Sequence, residues 1–409
     1  HRDLHSFPTR RSSDLLCGAL EGGLGTETIR MMVEGEFGYV DTILTIGCAM
    51  IFMKVIEGSG ALDALSSLII EKFHRFPAVL LVLIMLIIMF PGMITGSSTA
   101  AVLSAGSIMA PVLALMGIDA VTSGSIIAMG ALLGMIAPPV NTAALIICAG
   151  IDVPYVGFEG PLALITFPLA ILFVLLLGYK QARHMDYEKL KPALEKQDAI
   201  RKQYGVRIYI PLLVLVALMV IFKVLKLGED IGMPLMFLIS AAVGLFTGKK
   251  INVLTAVPEA IRTAAPVMGI LMGVGMFIEV MTATGVRGLV VISCLRLPST
   301  LWLLACAISI PLFGAVSSYG ACSVLGVPFA YIYASLLGGN SVVVLAAISL
   351  IAAVGDMMPP TALAGLFAAQ VTGVEKYTEI LKRCIVPIII LLVYACFFLA
   401  NSKLIAGLF

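Results

Sequence analysis

Long apolar stretches separated by short polar loops are the feature that most constrains how this chain can fold. A helix needs about 20 apolar residues to cross roughly 30 Å of hydrocarbon. Apolar residues make up 60% of the sequence and charged residues only 12%, whereas a typical soluble domain carries about 25% charged residues. The sequence therefore predicts an all-α integral membrane protein that lies in the lipid bilayer. The apolar stretches are residues 41–57, 77–94, 97–116, 124–149, 162–179, 208–227, 232–247, 263–281, 299–316, 319–337, 341–368 and 384–402.

The rest of the composition argues against several other classes of protein. The net charge is only +2, so nothing indicates nucleic acid as a partner. The eight cysteines stand singly, without a CxxC pair, and this pattern predicts neither a metal centre nor a disulfide framework. The sequence contains no nucleotide-binding loop and no nucleophile-base motif. We therefore expect neither an enzyme nor a primary pump, and no cofactor.

Residues 1–15 differ from everything that follows them. They are polar and rich in arginine, and they lack the apolar core of a signal peptide. The segment resembles a translated sequencing-adapter artefact, so we expect it to be non-native and exclude it from fold prediction. The alternative is an ordinary disordered cytoplasmic tail.

The two halves of the chain align with each other at an offset of 220 to 225 residues. Proline, serine and glycine landmarks recur in the same order with nearly the same spacing. We therefore predict two repeats, residues 16–180 and 263–409, with a cytoplasmic loop and a central helix pair between them at 181–262. The aligned residues are Pro91 with Pro311, Ser97-Ser98 with Ser317-Ser318, Gly134 with Gly355, Pro138-Pro139 with Pro359-Pro360, and Gly150 with Gly373.

Each repeat contains two apolar stretches joined by small polar residues, which predicts re-entrant hairpins at 77–116 and 299–337. Each hairpin is followed by an apolar segment that contains two adjacent prolines. Prolines remove backbone donors and disfavour helix at the residue before them. The carbonyls that they free must be satisfied by protein, water or ions, because lipid cannot do so. The sequence therefore predicts a broken helix that lines a cavity in each repeat.

Lysine and arginine are concentrated in the loops at 180–207 and 248–262, which the positive-inside rule places in the cytoplasm. When the membrane crossings are counted outward from these loops, the two hairpins open on opposite sides of the membrane. The repeats are then inverted relative to each other. Inverted repeats with broken helices near the middle of the membrane are typical of secondary transporters.

The hairpin tips and the helix breaks provide the candidate binding residues. Half-helix N-termini favour an anionic substrate, and unwound carbonyls and hydroxyl groups favour a cation such as Na⁺. We predict that each tip faces the break of its own repeat. The first site comprises Gly96, Ser97, Ser98 and Thr99 opposite Ala137, Pro138, Asn141 and Thr142, and the second comprises Ser317, Ser318 and Gly320 opposite Asp356, Pro359 and Thr361. The Na⁺ ligands among them are predicted to be Ser97, Ser98, Asn141, Ser317, Ser318 and Asp356.

Asp356 is the strongest ionisable candidate, because a charged residue inside a membrane segment is costly to bury. It could ligate Na⁺, carry a proton, or cap the N–H groups of a half-helix. Lys54 and Glu279 occupy equivalent positions in the two repeats. We expect them to reach the membrane interface or to form a structural pair.

In their order along the chain, these landmarks resemble the large membrane subunit of tripartite ATP-independent periplasmic (TRAP) transporters, the DctM-like family of the ion transporter superfamily. The resemblance covers nearly everything after residue 24. It rests on Gly96-Ser97-Ser98, Pro138-Pro139 and Pro359-Pro360, followed by Gly365-Leu366-Phe367 and the Gly373 loop. It implies a Na⁺-driven elevator mechanism in the bacterial inner membrane, a small carboxylate substrate, a periplasmic substrate-binding protein and a small membrane subunit.

The sequence also departs from the pattern of this family. The family often has Ile-Pro-Pro-Ser at the first break, whereas this chain has Ala137-Pro138-Pro139-Val140, and the second break usually lacks an acid such as Asp356. One alternative is therefore a stand-alone organic-anion symporter or antiporter of the same superfamily that uses no binding protein. The other alternative is a membrane scaffold that does not transport.

Overall fold

The computed structural model describes residues 27–37, 40–183, 199–224, 232–285, 292, 296, 298–317, 319–360 and 362–409. Every regular element within these ranges is helical, which confirms the predicted all-α class. We number the main helices as follows: α1 Glu27–Phe37, α2 Val40–Ser59, α3 Ala61–Phe73, α4 Pro77–Thr95, α5 Ser98–Leu115, α6 Ala120–Ile136, α7 Thr142–Gly150, α8 Glu159–Ala182, α9 Ile210–Val224, α10 Met233–Thr247, α11 Val253–Ala283, α12 Ser299–Ser317, α13 Tyr319–Tyr331, α14 Ser341–Ala353, α15 Leu363–Thr372, α16 Tyr377–Ala400 and α17 Ser402–Ala406.

Among the described residues, five helices are long and apolar enough to cross a membrane. A sixth candidate is the pair α2 and α3, which is bent by 61°. The central part of α5, Val102–Gly106, is π-helical, and a second π-helical turn, Ile332–Leu336, follows α13. The helices confirm a multi-pass membrane protein.

The helices form two packing groups. Helices α1 and α2 pack with α10 and α11, α9 packs on α10, and α4–α8 pack with α12–α17. Helix α3 contacts both α2 and α4, and α2 also contacts α4, so the two groups touch there; we count α3 with the first group. Within the first group, Gly35 lies against the backbone of Gly275, and Gly244 lies against Val55. Small residues let helix backbones approach closely, and this packing drives helix association where lipid removes the hydrophobic effect. We call the second group the core group, because it contains both hairpins and both helix breaks.

The first hairpin lies alongside α6. A Cβ atom added at Gly134 would lie 2.5 Å from the carbonyl oxygen of Met89 in α4. Gly178, near the end of α8, lies against Leu81, near the start of α4. Gly117, just after α5, lines a cavity with Gln181. The two arms of the hairpin therefore begin and end at the same end of the core group, which we call the Gln181 end, as the prediction of a re-entrant hairpin requires.

The opposite end of the core group is defined by Ser402. Helices α8 and α16 run antiparallel, because the Tyr394 hydroxyl, late in α16, donates to the carbonyl of Leu164, early in α8, at 3.1 Å. Gly339, just before α14, lies against the hydroxyl of Ser402. We call this the Ser402 end.

The two broken segments run in opposite directions. Helix α6 begins at the Gln181 end, where the Asp119 N–H donates to the side-chain oxygen of Gln181 at 3.0 Å. Helix α14 begins at the Ser402 end. These contacts give α6–α7 and α14–α15 the opposite orientations that inverted repeats would have. The repeat boundaries at residues 180 and 262 stay predictions.

Candidate functional site

Asn141 organises the first helix break. Helix α6 ends at Ile136, and Pro138 and Pro139 follow it with a cis peptide bond between them. The Asn141 side chain then accepts the N–H of Ala144 at 2.9 Å and caps α7. The Tyr155 hydroxyl donates to the carbonyl of Pro139 at 3.1 Å and lies 3.3 Å from the Asn141 N–H. The Pro139 carbonyl and the Asn141 N–H are thus satisfied by protein, as burial in a membrane requires.

The first hairpin tip contacts this break directly. Gly96 ends α4 in the left-handed conformation, with φ of 61°, which favours glycine. The Thr142 hydroxyl donates to the Gly96 carbonyl at 3.0 Å, so a side chain at position 96 would collide with Thr142. Ser97 caps the next helix by accepting the N–H of Ala100 at 3.3 Å. The predicted pairing of tip and break within the first repeat is therefore present in the structure.

At the second break, the backbone after α14 lies close to the backbone of α12. Helix α14 continues into a 3₁₀ turn, Val354–Met357, in which Gly355 lies against Gly314 of α12 and the Cys322 sulfur. Asp356 follows Gly355 and is only 1% exposed. Ala362 precedes α15 in the left-handed region, with φ of 30°. This conformation is uncommon for a residue with a Cβ atom and tends to occur at functional sites.

Two hydrogen bonds join the first repeat to the second, although the sequence predicts two separate sites. The Ser98 hydroxyl, at the first hairpin tip, donates to Oδ2 of Asp356 at 2.5 Å. The Asn141 amide, at the first break, donates to the Ser349 hydroxyl of α14 at 2.8 Å. Ser98, Asn141 and Ser349 are all buried. We call these four residues the cross-repeat network.

Three helices begin at the cross-repeat network or beside it. Helix α5 begins at Ser98, α7 begins after Asn141, and α15 begins shortly after Asp356. Helix N-termini carry partial positive charge and attract anions. Asp356 and the hydroxyl and amide oxygens supply acceptors for a cation. The arrangement can therefore hold an anion and a cation close to each other.

The other predicted residues are placed as follows. Thr99 and Pro138 are half-buried, Gly320 is buried at the start of α13, and Pro359 is exposed. Ser317 is the last residue of α12. Ser318 and Thr361 lie outside the described residues, as do residues 1–15.

Sequence reasoning missed two members of this region, Tyr155 and Ser349. Ser349 is a single polar residue within the apolar stretch of α14, and this was the only feature of the sequence that could have indicated its role. Tyr155 lies in the loop that follows α7, where nothing in the pattern indicated a contact. Lys54 and Glu279 do not form an ion pair with each other: Lys54 pairs with Glu57 at 3.2 Å, and Glu279 lies against Gly35. That they reach the membrane interface stays a prediction.

Two solved structures share this fold. The Alcanivorax borkumensis YdaH transporter, described as having an unusual topology, superposes with a TM-score of 0.61 at 16% identity, over 93% of this chain and 88% of its own. Neisseria gonorrhoeae MtrF, described as illuminating a class of antimetabolite efflux pumps, gives a TM-score of 0.61 at 12% identity, over 92% of this chain and 83% of its own. A search of curated protein sequences gave no match.

The family comparison covers almost the entire sequence. Residues 20–402 match the model for the DctM component of the tripartite ATP-independent periplasmic transporter. This confirms the resemblance drawn from the hairpin tips and the proline pairs. The chain therefore belongs to the DctM family and is the large permease component of a TRAP-type secondary transporter.

Proposed function

We propose that this permease imports a small organic acid, such as a C4-dicarboxylate, together with Na⁺. The hydrogen bond between Ser98 and Asp356 is the observation that carries the proposal. It brings an acidic side chain of the second repeat to the tip of the first hairpin, beside the start of α5. A substrate carboxylate held by that helix start would lie close to the carboxylate of Asp356.

Two carboxylates in a buried site repel each other, and this repulsion provides the coupling. Asp356 is almost fully buried, and two like charges interact more strongly in a buried site than in water because the local dielectric constant is lower. A cation bound at Asp356 would remove the repulsion and permit the substrate to bind. Substrate and cation then bind well only together, which is the thermodynamic requirement for symport.

The proposed Na⁺ ligands are oxygen atoms that retain acceptor capacity. Ser97 and Asn141 each accept one backbone N–H, and a hydroxyl or amide oxygen has two lone pairs. Asp356 contributes a full negative charge. The corresponding residues of the second tip, Ser317 and Ser318, complete the proposed set.

The proposed transport cycle moves the core group against α1–α3 and α9–α11, in an elevator motion across the bacterial inner membrane. Family membership implies association with a substrate-binding protein and a small membrane subunit. We propose that the binding protein is periplasmic and delivers the substrate, and that the small subunit braces the first packing group.

Uptake into proteoliposomes tests this proposal. The permease is reconstituted with its small membrane subunit, and uptake of a labelled C4-dicarboxylate and a labelled sugar acid is measured with an inward Na⁺ gradient. The binding protein is either present or omitted. Uptake that needs both Na⁺ and the binding protein supports the proposal. The Asp356→Asn variant should lose Na⁺-driven uptake, whereas the Ser240→Ala variant should retain it, because among the described residues the Ser240 hydroxyl bonds only to Met236 in its own helix.

Asp356 also favours a second candidate function, a proton-coupled stand-alone symporter or antiporter. In that case a proton gradient would drive uptake without Na⁺ and without the binding protein. A correctly folded protein that moves neither acid under either gradient would contradict both candidates.

A further inference from the structure

A basic cavity lies at the Gln181 end of the core group, away from the cross-repeat network. Its volume is about 580 Å³. The end of α8 contributes Lys180, Gln181 and Arg183 to its lining, the loop after α5 contributes Gly117, and α16 contributes Arg383. Three positive charges from two helices thus surround one cavity.

The three cations of this cavity are available to a ligand. Lys180, Arg183 and Arg383 are exposed, and none forms an ion pair with another residue that the structure describes. No acidic side chain is among the described residues that line the cavity. Asp119 lies beside it, where the Gln181 amide donates to its carboxylate at 2.5 Å.

Asp119 is already engaged by its own hydrogen bonds. It also accepts the N–H of Thr122 at 2.8 Å and caps α6. Burial acts to raise the pKa of Asp119, but the hydrogen bonds from Thr122 and Gln181, together with the charge of Arg383, hold that pKa below its usual range. One acid therefore neutralises at most one of the three cations, and the cavity keeps a net positive charge.

The cavity also has room for more than a single ion. A water molecule occupies about 30 Å³ in the liquid, so the volume is many times that of one water. Gly117 has φ of 82°, and no atom of the residues that the structure describes lies within 4 Å of a Cβ atom built there. The backbone at Gly117 therefore leaves the entrance open to a bulky group.

The position of the cavity identifies the chemistry of its ligand. Helices α8 and α16 both qualify as membrane spans, and the cavity lies at the last residues of α8 and the first turns of α16. Basic pockets between helices at this level are suited to anionic headgroups, and arginine binds phosphate through two parallel hydrogen bonds. We propose that this cavity binds a phosphate group, carried either by an anionic phospholipid headgroup or by a soluble organic phosphate.

Binding of three probes to the full chain tests the proposal. The purified protein in phosphatidylcholine nanodiscs is titrated with short-chain phosphatidylglycerol, with glycerol 3-phosphate, and with short-chain phosphatidylcholine as the neutral reference. Arg383→Gln and Arg183→Gln are compared with Lys382→Gln. Lys382 is an exposed neighbour of Arg383 that does not line the cavity, so it controls for the general loss of one positive charge.

We expect phosphatidylglycerol to bind more tightly than phosphatidylcholine. Arg383→Gln and Arg183→Gln should each weaken that binding about fivefold, since one basic residue near a membrane surface contributes about 1 kcal/mol. Lys382→Gln should have little effect. Competition by glycerol 3-phosphate would support the phosphate site with a soluble source, and its absence would support the lipid source. The proposal is overturned if neither phosphate probe binds, or if all three variants behave alike.

Discussion

The hydrogen bond between Ser98 and Asp356 should be energetically coupled to cation binding. The perturbation is a double-mutant cycle of Ser98→Ala, Asp356→Asn and the double variant. Ser98→Ala removes the donor and keeps the carboxylate, whereas Asp356→Asn keeps an acceptor oxygen and removes the charge. The cycle therefore separates loss of the hydrogen bond from loss of the charge.

The expected loss of stability follows from the burial of Ser98 and Asp356 and from the charge of the Asp356 carboxylate. A hydrogen bond to an ionised group contributes about 1.5–3 kcal/mol to stability. Ser98 and Asp356 are each only 1% exposed, so water cannot easily replace the lost donor. We expect Ser98→Ala to lower the free energy of unfolding by about 2 kcal/mol, and the coupling energy of the pair to lie at roughly 1–2 kcal/mol, within the usual range for residues in contact.

The assay is unfolding of the purified protein in detergent, with Na⁺ or with choline as the only added cation. A ligand present at 100 times its Kd stabilises the folded state by about 2.7 kcal/mol. The wild-type protein should show a stabilisation of this order with Na⁺ but not with choline, and Asp356→Asn should abolish it.

Ser240→Ala is the matched control, because Ser240 is buried but donates only to Met236 within its own helix. It should keep the response to Na⁺. The reasoning fails if the coupling energy of Ser98 and Asp356 is below about 0.5 kcal/mol, the level at which independent sites add. It also fails if Asp356→Asn retains the stabilisation by Na⁺.

Three further changes test the packing, the first break and the Gln181 end. Gly134→Ala should destabilise the protein by about 1–3 kcal/mol because its Cβ would meet the Met89 backbone. Gly269→Ala in α11, where no atom of the described residues lies within 4 Å of the added carbon, should be neutral or slightly stabilising in thermal unfolding. Asn141→Ala removes a helix cap and a cross-repeat hydrogen bond and should lower the free energy of unfolding by roughly 2–3 kcal/mol. Asn340→Ala removes a cap on α14 and should lower it by about 1 kcal/mol. Equal losses of stability in the two variants would contradict a role for the bond between Asn141 and Ser349. The pKa of Asp119 lies below its usual range, so its ionised form contributes stability above about pH 3.9 that is lost as the pH falls through the folded-state pKa. Asp119→Asn should therefore be less stable than wild type at neutral pH and equal to it in acid, as measured by unfolding across pH.

The local features of the site could be predicted from the sequence because they depend on backbone chemistry. Adjacent prolines cannot donate hydrogen bonds, so Pro138 and Pro359 marked the helix breaks without any knowledge of the fold. Gly96 followed by small polar residues marked the hairpin tip for a similar reason. These positions needed only residues within a few places of one another.

The cross-repeat network could not be predicted in this way. Ser98 and Asp356 are separated by 258 positions in the sequence, and the internal alignment matches tip with tip and break with break, so it does not indicate which tip approaches which break. Which tip approaches which acid depends on how the two repeats interlock. That arrangement is set by contacts such as Gly150 against Val327 and Gly326 against Ile147. A glycine pattern indicates that two helices can approach closely, but it does not identify the partner helix.

The interlocking of the repeats bears on how the site can open. Helix α13, the second arm of the second hairpin, packs on α7, which follows the first break. Helix α5, the second arm of the first hairpin, packs on α15, which follows the second break. Because the Ser98 to Asp356 bond also crosses between repeats, moving one repeat alone would separate a buried carboxylate from its donor. Moving both repeats together leaves that bond intact. The cost of exposing a buried charge therefore favours a motion of the core group as one body, which is the behaviour expected of the proposed elevator mechanism.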